Sequence, residues 1–207
     1  MLFAPAYEKT IREITVDIRN YITDPETTVV VNMDTTNGFF KRGKMASPRL
    51  RAIIPQIKKV NEYYLDSPKL FFTDVHQKNA EEFETYPVHC VDKYEQEIIS
   101  ELEDFAEVGE VIAKNSTNGF FSKGYLTWLA KHKEIENIII VGGCTDTSIL
   151  QFALAQRAYW NENNNNNRII VMENAVQTYH DDIHNGDLMH NVALFNLYMN
   201  GIKLARL

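Results

Sequence analysis

The chain has 207 residues, 44% hydrophobic and 24% charged, with a formal net charge of −7. A domain of this size buries roughly 70% of the surface its unfolded chain exposes. Disulfide staples are therefore unnecessary, and two cysteines exclude a disulfide-rich scaffold. The acidic balance argues against a nucleic-acid partner, and no run of about 18 apolar residues is present to cross a bilayer. The first residues show no basic stretch followed by an apolar core, so a soluble cytoplasmic protein is the expectation.

In chain order, Ile11, Ile14, Ile18 and Tyr21 share one face of an expected helix, within an N-terminal helical extension over residues 1–27. Thr28–Met33 reads as the first strand. Ser47 and Pro48 then offer an N-cap and a first-turn proline to a helix carrying Leu50, Ile53, Ile54, Ile57 and Tyr64. Pro55 lies inside that pattern and is expected to kink the helix or end its first part. Strands follow at Lys69–Thr73, Glu110–Ala113, Asn137–Gly142 and Arg168–Met172. Helices are expected over Glu95–Phe105, Phe121–Lys133, Thr147–Trp160 and from about Asp187 to Met199. Each strand is short and almost continuously apolar, as a strand covered on both faces must be. The alternation implies one α/β domain over residues 1–207, a parallel β-sheet flanked by helices on both faces. Asn161–Asn167 reads as a solvated connection, because asparagine favours turns.

Ligands of open parallel sheets bind beyond the carboxyl ends of the strands. That rule selects Asp34, Asp74, Lys114 and the Gly142–Ser148 segment, each of which follows a predicted strand. Asp74 and His76 lie two apart, on one side of an extended segment, with Glu82 and His89 further on. Two imidazoles and one or two carboxylates suit zinc, manganese or iron; a satisfied set of polar side chains is the alternative. Asp34 and Lys114 can form an acid–base pair, the ammonium keeping the carboxylate ionised. In Gly142–Ser148 a strand runs through glycines into a helix start, whose free N–H groups favour a developing anion. Spacing alone nominates Cys144 there as a nucleophile, or as a small residue packed under the turn. Cys90, beside His89, is expected to be buried.

Five segments together resemble the isochorismatase-like cysteine hydrolases, and within them the nicotinamidases. They are Val30–Phe39, Phe71–His76, Glu82–Cys90, Val111–Lys114 and Val141–Ser148, in family order. The resemblance implies the parallel α/β fold and hydrolysis of a small-molecule amide, nicotinamide to nicotinate and ammonia. It implies Asp34 as base and then acid, Lys114 as its electrostatic partner, and a divalent metal, zinc first, on Asp74, His76, Glu82 and His89. Phe39 and Tyr86 would flank the substrate ring. The Gly143–Cys144 bond would be cis, with the N–H groups of Cys144 and Ser148 as the oxyanion hole. A homo-oligomer is left open, with the Asn-rich loop and N-terminal helix available to an interface.

The resemblance also moves the nucleophile. The family's cysteine position falls on Ser148, not on Cys144. A hydroxyl is far less acidic than a thiol and normally needs a histidine or an equally strong base. Weak or absent turnover is the expectation, with ligand and metal binding retained. Alternatives are a relative acting on another small amide or an isochorismate-type vinyl ether, and a catalytically silent ligand-binding homologue. Asp92-Lys93-Tyr94 replaces the usual glycine–threonine pair, Thr117 stands where an aromatic is common, and Phe120 and Phe121 are expected in the core.

Overall fold

β-Branched runs set the framework. A computed structural model describes residues 4–21 and 23–207, so Met1–Phe3 and Ile22 of the expected N-terminal extension lie outside the described residues. Strands β1 (Val16–Asp17), β2 (Thr28–Met33), β3 (Lys69–Asp74), β4 (Glu110–Lys114), β5 (Asn137–Gly143), β6 (Arg168–Gln177) and β7 (Lys203–Arg206) form one sheet. Its order is β1-β7-β6-β5-β2-β3-β4, with every pair parallel. From β2 the chain winds outward through β3 and β4. It then returns to the other side of β2 as β5 and winds outward again. The β2–β5 junction is therefore the switch point, where a crevice opens beyond the strand ends.

Alternation along the strands divides the core into two layers. Val29, Val31, Met33, Ile138 and Ile140 pack on one face; Val30, Ile139 and Val141 pack on the other. All are buried, which is why these strands read as continuous apolar runs. Helices α3 (Pro48–Ala52) and α4 (Ile54–Tyr63) meet at Ile53, and Pro55 occupies the first turn of the second, where no N–H is required. Helices α7 (Lys123–Lys131), α8 (Leu150–Glu162) and α9 (Gly186–Met199) match the expected segments closely.

Three expectations are corrected. Helix α1 (Ala4–Ile14) stops before Ile18, because Val16 and Asp17 pair with β7 and the Asp17 carboxylate caps a 3₁₀ turn at Arg19 N–H. The N-terminal segment is thus part of the sheet, and Ile18 is buried on a 3₁₀ turn rather than in an α-helix. The helix expected over Glu95–Phe105 is broken into α5 (Lys93–Gln96), a 3₁₀ turn and α6 (Glu103–Glu107). Ile98 is taken by an antiparallel bridge to Thr36, next to α2 (Asn37–Phe40). Phe120 is buried, but Phe121, on the same 3₁₀ turn, is 67% exposed. The Asn161–Asn167 connection is largely exposed, held at its end by Arg157 donating to the Asn165 and Asn167 carbonyls.

Candidate active site

Three charged side chains meet where β2, β3 and β4 end. Asp34 leaves β2 in the left-handed backbone region (φ 50°), and its N–H donates to the Phe72 carbonyl of β3 at 3.1 Å. Asp74 and Lys114 are register partners on β3 and β4, so strand pairing alone sets them side by side. The Lys114 ammonium bonds Asp74 Oδ1 and lies 3.1 Å from Asp34 Oδ2. All three residues are buried.

Two carboxylates share one ammonium here, and the environment splits them. Burial and the Asp74 charge push the Asp34 carboxyl up to about 7, opposed by Lys114 and the neighbouring Ser148 hydroxyl. Burial also works against the Asp74 charge, but Lys114 and the two imidazoles hold it well below the usual carboxylate range. Burial disfavours the Lys114 charge, yet Asp34 and Asp74 hold it above its ordinary range. Neither Asp34 oxygen has a hydrogen bond of good geometry, so this buried carboxylate is free to take a proton from a neighbour.

Beside it stands the donor set Asp74, His76 and His89, whose ligating atoms lie within 4.8 Å of one another. Both imidazole Nε2 atoms are 3.6 Å from Asp74 Oδ2. His89 Nδ1 donates to the Pro87 carbonyl at 2.7 Å, and His76 Nδ1 lies 3.3 Å from Asn115 Oδ1. These contacts put a ring proton on each Nδ1 and turn each Nε2 toward Asp74. His76 Nε2 is buried with no hydrogen-bond partner, as an atom reserved for a cation would be. The set fits a divalent transition ion. Glu82 is not among these converging ligand atoms. Its Oε1 accepts from the N–H and hydroxyl of Thr117, at 2.7 and 3.0 Å, which also accounts for the threonine at that position.

On the other side of β2, strand β5 ends in Gly142 and Gly143, and the Gly143–Cys144 peptide is cis. Gly142 has φ +111°, and a Cβ there would meet the Met33 carbonyl at 2.1 Å, so only glycine lets β5 come this close to β2. A π-helical turn over Thr145–Ile149 follows, in which the N–H groups of Thr147 and Ile149 both donate to the Cys144 carbonyl. This turn delivers Ser148 to Asp34. The Cys144 thiol is instead turned toward Thr178 and the Tyr179 main chain. Burial, with the Asp146 carboxylate nearby, pushes it up to about 12, so the nomination of Cys144 from spacing is overturned. The Cys90 thiol is likewise buried and held far above its ordinary range by burial.

A narrow cleft joins these parts, lined by Phe39, Asp74, Tyr86, His89, Cys144 and Ser148. Met45, Thr117, Thr147 and Tyr179 complete its walls. Phe39 packs edge-on against His89, with ring centroids 5.5 Å apart, and Tyr86 is fixed by its N–H donating to the Glu82 carbonyl. Tyr179, Met45 and Asn115 were not recognisable from sequence. Asn115 directly follows Lys114 and Tyr179 lies two residues beyond β6, but neither carries a spacing pattern that marks it, and Met45 lies away from the strand ends.

Fold and cleft define a parallel α/β domain with a buried acid–lysine–hydroxyl group beside a metal-type donor set. The chain belongs to the isochorismatase domain family, whose model matches residues 28–200. It is similar to Nicotinamidase 1 of Arabidopsis thaliana, 28% identical over 141 residues. That match covers 59% of this chain and 57% of the relative, so it spans little more than half of the relative's length. Among solved structures, the cysteine hydrolase of Pseudomonas syringae pv. phaseolicola superposes with a TM-score of 0.75 at 14% identity, covering 90% of this chain and 91% of that one. The pyrazinamidase of Pyrococcus horikoshii, in complex with zinc, gives 0.73 at 18% identity, covering 87% and 99%. These structures share the fold. Among the described residues no helix is long and apolar enough to cross a membrane.

Proposed function

We propose that this chain is a nicotinamidase-like amidohydrolase, acting on a small planar amide and slowed by the serine at position 148. The observation that carries this reading is that the buried pair Asp34 and Lys114 meets Ser148, which lines one cleft with Asp74 and His89, next to His76. Asp34 removes the Ser148 proton as Oγ attacks the amide carbonyl. The N–H groups of Cys144 and Ser148 receive the developing oxyanion. The Asp34 carboxylic acid then returns its proton to the leaving nitrogen and ammonia departs; the regenerated carboxylate takes a proton from a water, whose oxygen attacks the acyl ester, and gives that proton to Ser148 Oγ as the C–Oγ bond breaks and the acid leaves. Lys114 holds the charge of the acidic pair throughout. Asp74, His76 and His89 would hold the divalent ion, which when bound supplies a Lewis-acidic anchor for a ring donor atom.

A second reading, a silent homologue that binds the amide without turnover, is favoured by Ser148 itself. The test is ammonia release from nicotinamide by zinc- or manganese-loaded protein, beside its Ser148→Cys variant. The variant is expected to turn over faster by on the order of 10²-fold, because its thiol is ionised by a base that is weak for a hydroxyl. Tight binding without ammonia from either protein supports the silent reading. Neither binding nor ammonia would remove nicotinamide and direct attention to other small amides.

A further inference from the structure

The loop after β6 supplies a wall of the cleft that a side-chain pair ties to the reactive turn. Tyr179 lines the cleft, and its ring stacks on His184 with centroids 3.9 Å apart and planes 14° from parallel. Both imidazole nitrogens are engaged. Nε2 lies 2.6 Å from Asp146 Oδ2, and Nδ1 lies 3.1 Å from the Tyr179 carbonyl. Asp146 stands two residues before Ser148 in the same turn, and its carboxylate is almost fully buried, at 4% side-chain exposure.

The rest of the loop is equally constrained. Asp181 Oδ1 accepts from the N–H groups of Ile183 and His184, which folds the segment back so that His184 faces Tyr179. Arg49 donates to the Thr178 carbonyl, Gln177 and Asp187, holding both ends of the loop to α3. At Gly186 a Cβ would meet the Tyr179 carbonyl at 2.3 Å, so the loop closes directly against the residue it presents. Burial, with the Asp146 charge behind it, pushes the Tyr179 phenol up to about 12 and keeps the wall neutral.

We infer that Tyr179 is the specificity-determining wall that favours planar aromatic amides, and that His184, bonded to Asp146, is the positioning residue that fixes this wall relative to Ser148. The inference rests on reading the cleft as a small-amide site and deepens that reading. The arrangement makes the wall and the nucleophile turn move as one body: a ring settled against Tyr179 has its carboxamide referenced to Ser148 through a bond of 2.6 Å. A non-planar ring of the same size keeps its apolar contact with the wall but not the aromatic-pair energy added to it.

The test measures dissociation constants by ligand-observed NMR for nicotinamide, benzamide and cyclohexanecarboxamide on the zinc-loaded chain with Ser148 in place. Benzamide lacks the ring nitrogen that a cation would bind, so it reports the wall alone. Tyr179→Ala is expected to weaken both aromatic amides about three- to tenfold more than cyclohexanecarboxamide, the range of an aromatic pair beyond apolar contact. Tyr179→Phe keeps the preference. His184→Ala loses it in the same direction, and His184→Gln, which still donates to Asp146, recovers part of it. Aromatic preference unchanged in both Tyr179→Ala and His184→Ala overturns the inference while the amide-site reading stands. If the parent chain binds none of the three amides, the site reading falls and the inference with it. Should His184→Ala not fold, Tyr179→Ala against Tyr179→Phe decides the role of the wall.

Discussion

The two sides of the cleft are built by different means. On the β3–β4 side, charges sit at strand ends, and their meeting follows from register: Asp74 opposite Lys114, with Asp34 one strand away. On the β5 side, position comes from backbone form and from contacts between distant segments, such as His184 with Asp146, 38 residues apart. The first side is held by Coulomb attraction among buried groups, and the second by hydrogen bonds and a tight turn. Charge-built geometry fails abruptly when one member is lost, whereas turn-built geometry loosens by degrees.

The sharpest way to break the contrast is Lys114→Met in metal-free protein. It leaves Asp34 and Asp74 buried without a cation and is expected to lower stability by roughly 3–5 kcal/mol, read from urea unfolding. A loss below about 1 kcal/mol would mean that the carboxylates do not depend on Lys114.

His190 probes the other side. Its Nδ1 lies 2.9 Å from Thr145 Oγ1, and burial lowers its pKa to about 4, with Glu173, Asp146 and Asp187 opposing that shift and Arg49 adding to it. A histidine lowered on folding binds its proton more readily in the unfolded chain. Its contribution is therefore intact above the unfolded value near 6.5 and declines as pH falls toward 4, by up to roughly 3 kcal/mol. His190→Gln is expected to flatten that part of the acid dependence in thermal melts between pH 7 and 4. An unchanged slope would place the acid sensitivity elsewhere.

Asn115→Ala sharpens the contrast on the charged side, since Asn115 orients His76 without being a ligand. Zinc affinity is expected to fall about 10–100-fold in a competition titration, with the fold intact. Equal affinity would show that His76 needs no orienting partner. The smallest effect belongs to the Asn-rich connection, where Asn166→Ser is expected to change stability by no more than about 0.5 kcal/mol. A larger change in the melting midpoint would mean that the loop is not simply solvated.

Legibility in the sequence divides along the same line. The apolar strands announced the sheet, and the strand-end rule found Asp34, Asp74 and Lys114 because strand pairing is what assembles them. The short strands β1 and β7 were missed, since two to four residues at a sheet edge leave no periodic signal. Ile18 was assigned to a helix because a buried side chain at the right spacing looks the same whether a helix or a 3₁₀ turn carries it. Cys144 was nominated because a thiol beside free N–H groups resembles a nucleophile; only the turn's direction shows that it faces Thr178. Tyr179 and His184 were invisible because their meeting with Asp146 depends on how β6 ends, not on any local pattern.

Gly142 has a consequence for how such a domain can change over time. Because the approach of β5 to β2 is secured by a missing side chain, the geometry that delivers residue 148 does not depend on what that residue is. Most serine codons lie one base from a cysteine codon, so on the proposed reading reactivity here changes in a single mutational step without remaking the scaffold. The glycine has no such neighbour in sequence space. Any side chain added there must displace the Met33 carbonyl, so lineages of this domain can drift in chemistry far more readily than in shape.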